Sequence, residues 1–334
     1  EVARIAAACA NPGVLTDVDV QPSAVCVTDC PDATCACACP RAAFRLHVCP
    51  TEFPHPRPRL RTVFLGSATA PLELEVISRL PAQAGNKPPL LFVHGAFAGA
   101  WCWEEHFLDF FAGLGYPSYA LSLRGHAGSA GRERLHWNRL ADYVTDVAEV
   151  AVGLGERTIL IGHSMGGMVV QKYLERTPAP AAVLMCSVPP SGLMWSSLQL
   201  MWRDPMLWME MGVITHAGPQ YGSRSLARRA LFSPDAPDAV VDRLMSRAQE
   251  ESSRVLADLT WADLPAVTLV RRTPLLVLGA EHDALVPPSE VLETARRLGA
   301  ECEIVPRVAH VMMFEPGWDR VARRVAEWLA RQGH

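Results

Sequence analysis

Ser164 stands between Gly162 and Gly166 in LIGHSMGG, directly after the aliphatic run TILI and before the helix-compatible MVVQKYLER. A serine that begins a helix straight after a strand needs a tight corner, and two flanking glycines keep that corner free of neighbouring Cβ atoms. A G-x-S-x-G turn of this kind lifts Oγ above the C-terminal edge of a parallel sheet and aims helix N-terminal N–H groups at the same place. The chemistry implied is nucleophilic attack; the bland alternative is a turn serine. A serine hydroxyl is a poor nucleophile at neutral pH, so it needs a base, and the base needs a group to orient its imidazole. Both lie downstream. Asp283 in LLVLGAEHDALVPP follows an apolar strand candidate, and His310 in CEIVPRVAHVMMFEPG follows the last one. Glu281 and His282 compete with Asp283, but the glutamate would have to reach around the loop, so the order Ser164, Asp283, His310 is expected.

Residues so remote in sequence converge only if one scaffold brings strand ends together. From about residue 60, apolar runs alternate with helical stretches, the pattern of strands and crossover helices around a mostly parallel sheet. RTVFLGS and LELEVISRL read as an opening antiparallel pair; PLLFVHG, SYALSL, TILIGHS, AAVLMCS, PLLVLGA and CEIVP read as short buried strands. Segments near 101–113, 138–153, 165–176, 288–298 and 317–331 carry apolar residues at helical spacing and should cover the sheet faces. The rhythm breaks from Val188 to Asp263, which holds no strand candidate. The expected organisation is an α/β core over 59–187 and 264–334, with a helical cap, 188–263, inserted between two strands.

Composition narrows the function classes. The chain has 334 residues, 49% hydrophobic and 20% charged, with a net charge of −4, enough to bury one large core. No Lys/Arg cluster is interleaved with aromatics, so a nucleic-acid surface is not expected. No apolar run reaches the roughly 18 residues of a membrane span, and no basic n-region precedes an apolar h-region at the start; a soluble, cytoplasmic protein is expected. Seven of the ten cysteines precede residue 50. That stretch lacks paired C-x-x-C spacing and any useful periodicity, so residues 1–58 read as a poorly ordered Cys/Pro-rich tail. No His/Asp/Glu cluster has metal-ligand spacing and no G-x-G-x-x-G opens a helix after the first strand, so neither metal nor cofactor is expected. His94, His126 and His163 read as loop braces.

FVHGAFAGAWCW, LSLRGHAGS, GHSMGG, GAEHDALVPP and HVMMFEPGW together resemble the α/β-hydrolase superfamily, specifically its serine esterase and lipase-like members with a helical cap, over about residues 60–334. That resemblance implies an oxyanion hole formed by the backbone N–H groups of Ala96 and Met165, with Phe97 in place of Ala96 if the loop runs one residue differently. The expected activity is cleavage of an apolar carboxylic ester through an acyl-enzyme, with a small apolar ester or related acyl compound as substrate. A family dehalogenase or epoxide hydrolase would carry a carboxylate where Ser164 stands, and a hydroxynitrile lyase would replace Gly95 and put lysine at Val311. A cofactor-free haloperoxidase or perhydrolase on the same three residues and a non-turnover receptor of the same fold remain as alternatives.

The inserted segment offers the substrate hint. SGLMWSSLQLMWRDPMLWMEMG concentrates Met and Trp, and Phe97, Trp195, Trp202 and Trp208 are the candidate pocket residues. Leu193, Leu200 and Leu207 recur at helical spacing and would serve core packing instead.

Overall fold

Short β-branched and leucine-rich runs become the strands of one eight-stranded sheet: β1 (Leu60–Leu65), β2 (Glu73–Arg79), β3 (Leu90–Val93), β4 (Ser118–Leu121), β5 (Ile159–His163), β6 (Ala182–Met185), β7 (Leu275–Ala280) and β8 (Glu301–Val305). The computed structural model describes residues 60–65, 72–83 and 85–334. The expected Cys/Pro-rich tail, 1–58, lies outside the described residues. Strand order is β1-β2-β4-β3-β5-β6-β7-β8. β1 pairs antiparallel with β2, and β2 with β4, while every neighbour from β4 to β8 is parallel.

Parallel strands need crossovers, and these are helices on both faces. α1 (Trp101–Glu104), α2 (Phe107–Gly113), α3 (Leu140–Leu154) and α4 (Met165–Arg176) lie between β3 and β6 in the chain. The 101–113 stretch expected as one helix breaks at Glu105 and His106. Between β6 and β7 come α5 (Met194–Arg203), α6 (Pro205–Ala217), α7 (Arg224–Leu231), α8 (Asp238–Arg247), α9 (Ser253–Ala257) and α10 (Val267–Val270); α11 (Pro288–Leu298) and α12 (Trp318–Arg331) complete the chain. Strand side chains alternate between the two faces. Leu90, Phe92, Ile159 and Ile161 therefore join Phe107 and Phe111 of α2 and Val325 and Trp328 of α12 in one core. Leu91, Val93 and Leu160 join Val147 of α3, Val169 of α4 and Val291 of α11 in the other.

The helical interval between β6 and β7 is not uniform. Leu200, Leu207, Ile214, Leu226 and Ala230, from α5, α6 and α7, form a small core of their own. Leu200 and Leu207 thus serve the packing role that their spacing suggested. Val241 of α8 is buried in the first sheet core, and Val255 of α9 and Val270 of α10 in the second. Asp204 caps α6 by accepting from the Leu207 N–H at 2.9 Å, with Pro205 in the first turn, so the α5–α6 hairpin turns sharply.

A buried ion pair ties the return of this interval to the loop after β4. His126 Nε2 lies 3.1 Å from Glu251 Oε2, both side chains fully buried, while Glu251 Oε1 accepts from Tyr143 Oη and the Ser252 N–H, each at 2.7 Å. Burial pulls the imidazole of His126 down, but the facing Glu251 outweighs it and holds the group above its ordinary value. Burial likewise raises Glu251, yet His126, Tyr143 and the Ser252 N–H bring it below the usual range. A raised histidine contributes stability that is complete below its unfolded value and lost as pH rises through the folded one; a lowered carboxylate contributes above its unfolded value and loses it as pH falls. Glu251→Gln should therefore cost on the order of 3–5 kcal/mol, because it strands the buried imidazole. In urea denaturation the gap from the parent should be widest between roughly pH 4.3 and 6.5 and narrow on either side.

Candidate active site

The turn from β5 into α4 sets the geometry. Ser164 takes φ 51° and ψ −117°, outside the ordinary regions for an L-residue, as the residue that caps α4. Its N–H donates to the Met185 carbonyl at 3.0 Å, and its own carbonyl accepts from Gly167 at 3.0 Å and Val188 at 3.1 Å. The neighbouring glycines are steric requirements. A Cβ at Gly162 would stand 2.5 Å from the Gly166 carbonyl oxygen, one at Gly166 would stand 2.4 Å from that of Val93, and one at Gly167 would stand 2.2 Å from Ser187 Oγ. The helix start is packed directly against the ends of β3 and β6.

His310 arrives from the loop after β8, and its Nε2 lies 3.0 Å from Ser164 Oγ. Its Nδ1 lies 2.8 Å from Asp283 Oδ2 in the loop after β7. The other oxygen of Asp283 accepts the N–H groups of Leu285 and Val286, each at 2.9 Å, which fixes the carboxylate plane. With Nδ1–H donating to Asp283, Nε2 is left to accept from the serine hydroxyl. Burial raises the Asp283 carboxyl, but His310 and the hydrogen bonds of Val286 and Cys186 more than offset this and hold it below its ordinary value. The aspartate is therefore charged at neutral pH. Glu281, the competing carboxylate, accepts instead from the Arg307 N–H at 2.8 Å at the surface.

Three further side chains, His163, Cys186 and His94, support this chain of contacts. His163 Nε2 contacts the His310 carbonyl at 2.8 Å, and burial, reinforced by His310, lowers its imidazole to about 3. It is a neutral donor that holds the backbone of His310; its place beside the serine was the available signal. Cys186 lies directly after β6 with φ 42°, and burial, with Asp283 beside it, pushes its thiol up, so a protonated Sγ–H faces that carboxylate. Nothing in its sequence surroundings marks it. His94 donates from Nδ1 to the Gly95 carbonyl at 2.8 Å and accepts at Nε2 from the Leu123 N–H at 3.0 Å. Burial, with His126 nearby, lowers it to about 3, so it too stays neutral.

Residues 90–324, well over half of the chain, match the model of the alpha/beta hydrolase family. The chain belongs to that family. A methyl jasmonate esterase of Vitis vinifera is 36% identical over 95 residues, which span 28% of this chain and 36% of that protein. A monoacylglycerol lipase of Mycolicibacterium smegmatis is 26% identical over 238 residues, 67% of this chain and 82% of the relative. Among solved structures, a thermophilic esterase from Thermogutta terrifontis superposes with a TM-score of 0.62 at 20% identity, covering 82% of this chain and 98% of that one. At that identity the likeness speaks for the α/β-hydrolase fold alone.

In this α/β hydrolase, Ser164 and His310 open onto a cavity of about 1030 Å³, whose walls include Ala96, Phe97, Met165, Leu200, Trp208 and Met313. Phe97 has φ 63°, and its carbonyl accepts from the Gln249 N–H at 3.0 Å. The Gln249 side chain in turn accepts from the Ala127 N–H at 2.8 Å. Two of the expected pocket residues need correction. Trp195 and Trp202 are not among the cavity walls; they are 61% and 82% exposed. The helix explains why: Ser196 and Leu200 turn inward, and Trp195 and Trp202 lie roughly 100–160° around the helix from them, so both turn out. Among the described residues, Cys186, Asp283 and His310 are the grouping whose metal-ligand atoms lie within 4.8 Å of one another, but the His310–Asp283 hydrogen bond already engages two of them. Gly166→Ala should force α4 away from the Val93 carbonyl at a cost of about 1–3 kcal/mol. Reaction of Ser164 with a fluorophosphonate should slow even where the variant remains folded, as gel-based labelling against a melting curve will report.

Proposed function

We propose that the protein is a serine hydrolase that cleaves an apolar carboxylic ester through an acyl-enzyme, with Ser164, His310 and Asp283 as its triad. The observation that carries this reading is the continuous relay from Ser164 Oγ to His310 Nε2 at 3.0 Å and from His310 Nδ1 to Asp283 Oδ2 at 2.8 Å, at the wall of a largely apolar cavity. Ser164 attacks the ester carbonyl as His310 takes its proton. The imidazolium is compensated by charged Asp283, then returns the proton to the departing alcohol; water repeats the sequence on the acyl-enzyme. Met165 opens α4, so its N–H has no acceptor within the helix. With the Ala96 N–H it forms the proposed oxyanion hole, where each donor is worth roughly 3–4 kcal/mol to the transition state. The names of the relatives, an esterase and a monoacylglycerol lipase, support ester cleavage.

The cavity argues for a substrate larger than an acetate ester, since about 1030 Å³ stands at the upper end of the roughly 300–1,000 Å³ typical of ligand pockets. Ser164→Ala should abolish fluorophosphonate labelling and turnover of p-nitrophenyl esters in a folded protein, and Asp283→Asn should lower kcat by about 10⁴-fold. Retained turnover in folded Ser164→Ala would end the serine mechanism. Across p-nitrophenyl esters, kcat/KM should climb by up to about fourfold per buried methylene from acetate toward medium chains. Trp208→Ala should flatten that climb, and Trp202→Ala should leave it unchanged.

A further inference from the structure

The backbone around His310 is held at four consecutive residues. The Val308 carbonyl accepts from the His282 N–H at 3.0 Å, and the Ala309 N–H donates to Glu315 Oε2 at 3.1 Å. The His310 carbonyl faces His163 Nε2 at 2.8 Å, and the Val311 N–H donates to the Leu231 carbonyl at 3.2 Å. His282 lies in the loop after β7, His163 ends β5, and Leu231 ends α7. The remaining partner is a carboxylate from the same loop as the imidazole, and the relay from Ser164 to Asp283 makes no use of it.

Glu315 is buried, and its two oxygens face different segments. While Oε2 takes the Ala309 N–H, Oε1 takes the N–H of Ser233, which follows the end of α7, with the Ser233 hydroxyl beside it. One carboxylate thus closes the 309–315 turn around His310 and binds that turn to the chain leaving α7. The Val311 to Leu231 bond runs the other way between the same two segments, so each gives a donor and an acceptor. Substrate space lies against this joint: Leu226, Ala230 and Leu231 of α7 line the cavity, as do Val311 and Met313, whereas Glu315 is not among its walls. A carboxylate can accept from both N–H groups at once, but its protonated form, like an amide, turns a donor toward one of them. Burial raises the Glu315 carboxyl, and the Ser233 and Ala309 hydrogen bonds and His282 only partly offset this, so it ends above its ordinary value. Among the described residues, the titratable groups that face Glu315 are His282 and, directly after β6, Cys186, whose thiol burial keeps protonated. The two-oxygen clamp is therefore intact at neutral pH and opens as pH falls, earlier than an exposed glutamate would allow.

We propose that Glu315 is a positioning residue whose carboxylate holds His310 within 3.0 Å of Ser164 Oγ and makes that placement depend on the end of α7. The inference rests on the reading of His310 as the base of an ester hydrolase. The test compares Glu315→Gln with the parent on p-nitrophenyl butyrate from about pH 8 down to about pH 4.5. At the upper end kcat should fall by about tenfold or more with KM unchanged, because a misplaced base costs turnover and Glu315 is no part of the cavity wall. Toward acid the parent-to-variant ratio should close, since a protonated glutamate holds one N–H as a glutamine does; the titration of His310 is common to both and cancels. A ratio that stays constant with pH, or a raised KM with kcat intact, would overturn the proposal. A second readout needs no substrate: the downfield proton resonance of His310 Nδ1–H, sharp in the parent, should broaden or shift in the variant at about pH 8. An unchanged resonance would also overturn it. If the resonance responds but the parent hydrolyses no ester, the positioning stands and the hydrolase reading fails. Should the glutamine variant not fold, Glu315→Asp replaces it, keeping the charge on a side chain one methylene too short to span both N–H groups, and should lose kcat at unchanged KM. Full kcat in Glu315→Asp, or failure of both variants to fold, would show a carboxylate that serves the fold and not the base.

Discussion

Everything at this site depends on how closely the first turn of α4 approaches the strand ends. The Gly166 backbone lies so near the Val93 and His94 carbonyls that a Cβ would stand 2.4 and 2.5 Å from them. That contact forces Ser164 into its positive-φ corner and exposes its hydroxyl above the sheet edge. It also explains why β3, β5 and β6 must be adjacent and parallel: β3 supplies the carbonyls that the helix start presses on, and β6 the Met185 carbonyl that accepts the serine N–H. The cost of a strained residue is on the order of 1–3 kcal/mol, small beside what two buried sheet faces contribute.

Around that corner, burial sorts the ionisable groups into distinct states. His94 and His163 are desolvated without an adequate counter-charge and stay neutral, so they act as fixed donors to the carbonyls of Gly95 and His310. His126 is as deeply buried, but Glu251 faces it, so the same residue type becomes half of an ion pair. Asp283 remains charged because four hydrogen-bond donors, from Leu285, Val286, His310 and Cys186, converge on its carboxylate. The neutral braces fix the loops and the charged pair fixes the chain after α8 to the loop after β4, which leaves His310 between an anion and a hydroxyl.

Much of this could be read in the sequence, for a definite reason. Strands β3, β5, β6 and β7 are short and buried on both faces, so they appear as uninterrupted apolar runs, and the glycines around Ser164 are dictated by contact distances under 3 Å. The order Ser164, Asp283, His310 follows from each residue sitting just past a strand end. What the sequence hid was decided by long-range contact. Cys186 reaches Asp283 only because β6 and β7 pair, and Gln249 reaches Phe97 only because the chain after α8 returns to the loop after β3. The sequence points Trp195 and Trp202 to the pocket because a Met- and Trp-rich helix has two apolar sides, and periodicity finds the stripes without saying which one faces inward. The buried Leu200 and Ser196 settle that choice.

The strained loops and the helical interval between β6 and β7 are mechanically linked. Of the five non-glycine residues with positive φ among the described residues, Phe97, Ser164 and Cys186 touch the cavity or Asp283, and Ala127 is held by Gln249. Gln249 follows α8 directly after Ala248, and its backbone N–H is the partner of the Phe97 carbonyl, so the chain leaving α8 grips the loop that carries the proposed oxyanion donor at Ala96. A strained loop persists only when its surroundings over-determine it. Here the over-determination comes partly from Gln249 and, two residues on, from the Glu251–His126 pair, so the segment after α8 also holds the loop at the cavity wall in position. A shift of α8 would therefore reach Phe97 through one hydrogen bond, whereas the backbone of Ser164 is tied to Met185, Gly167 and Val188 and not to α8.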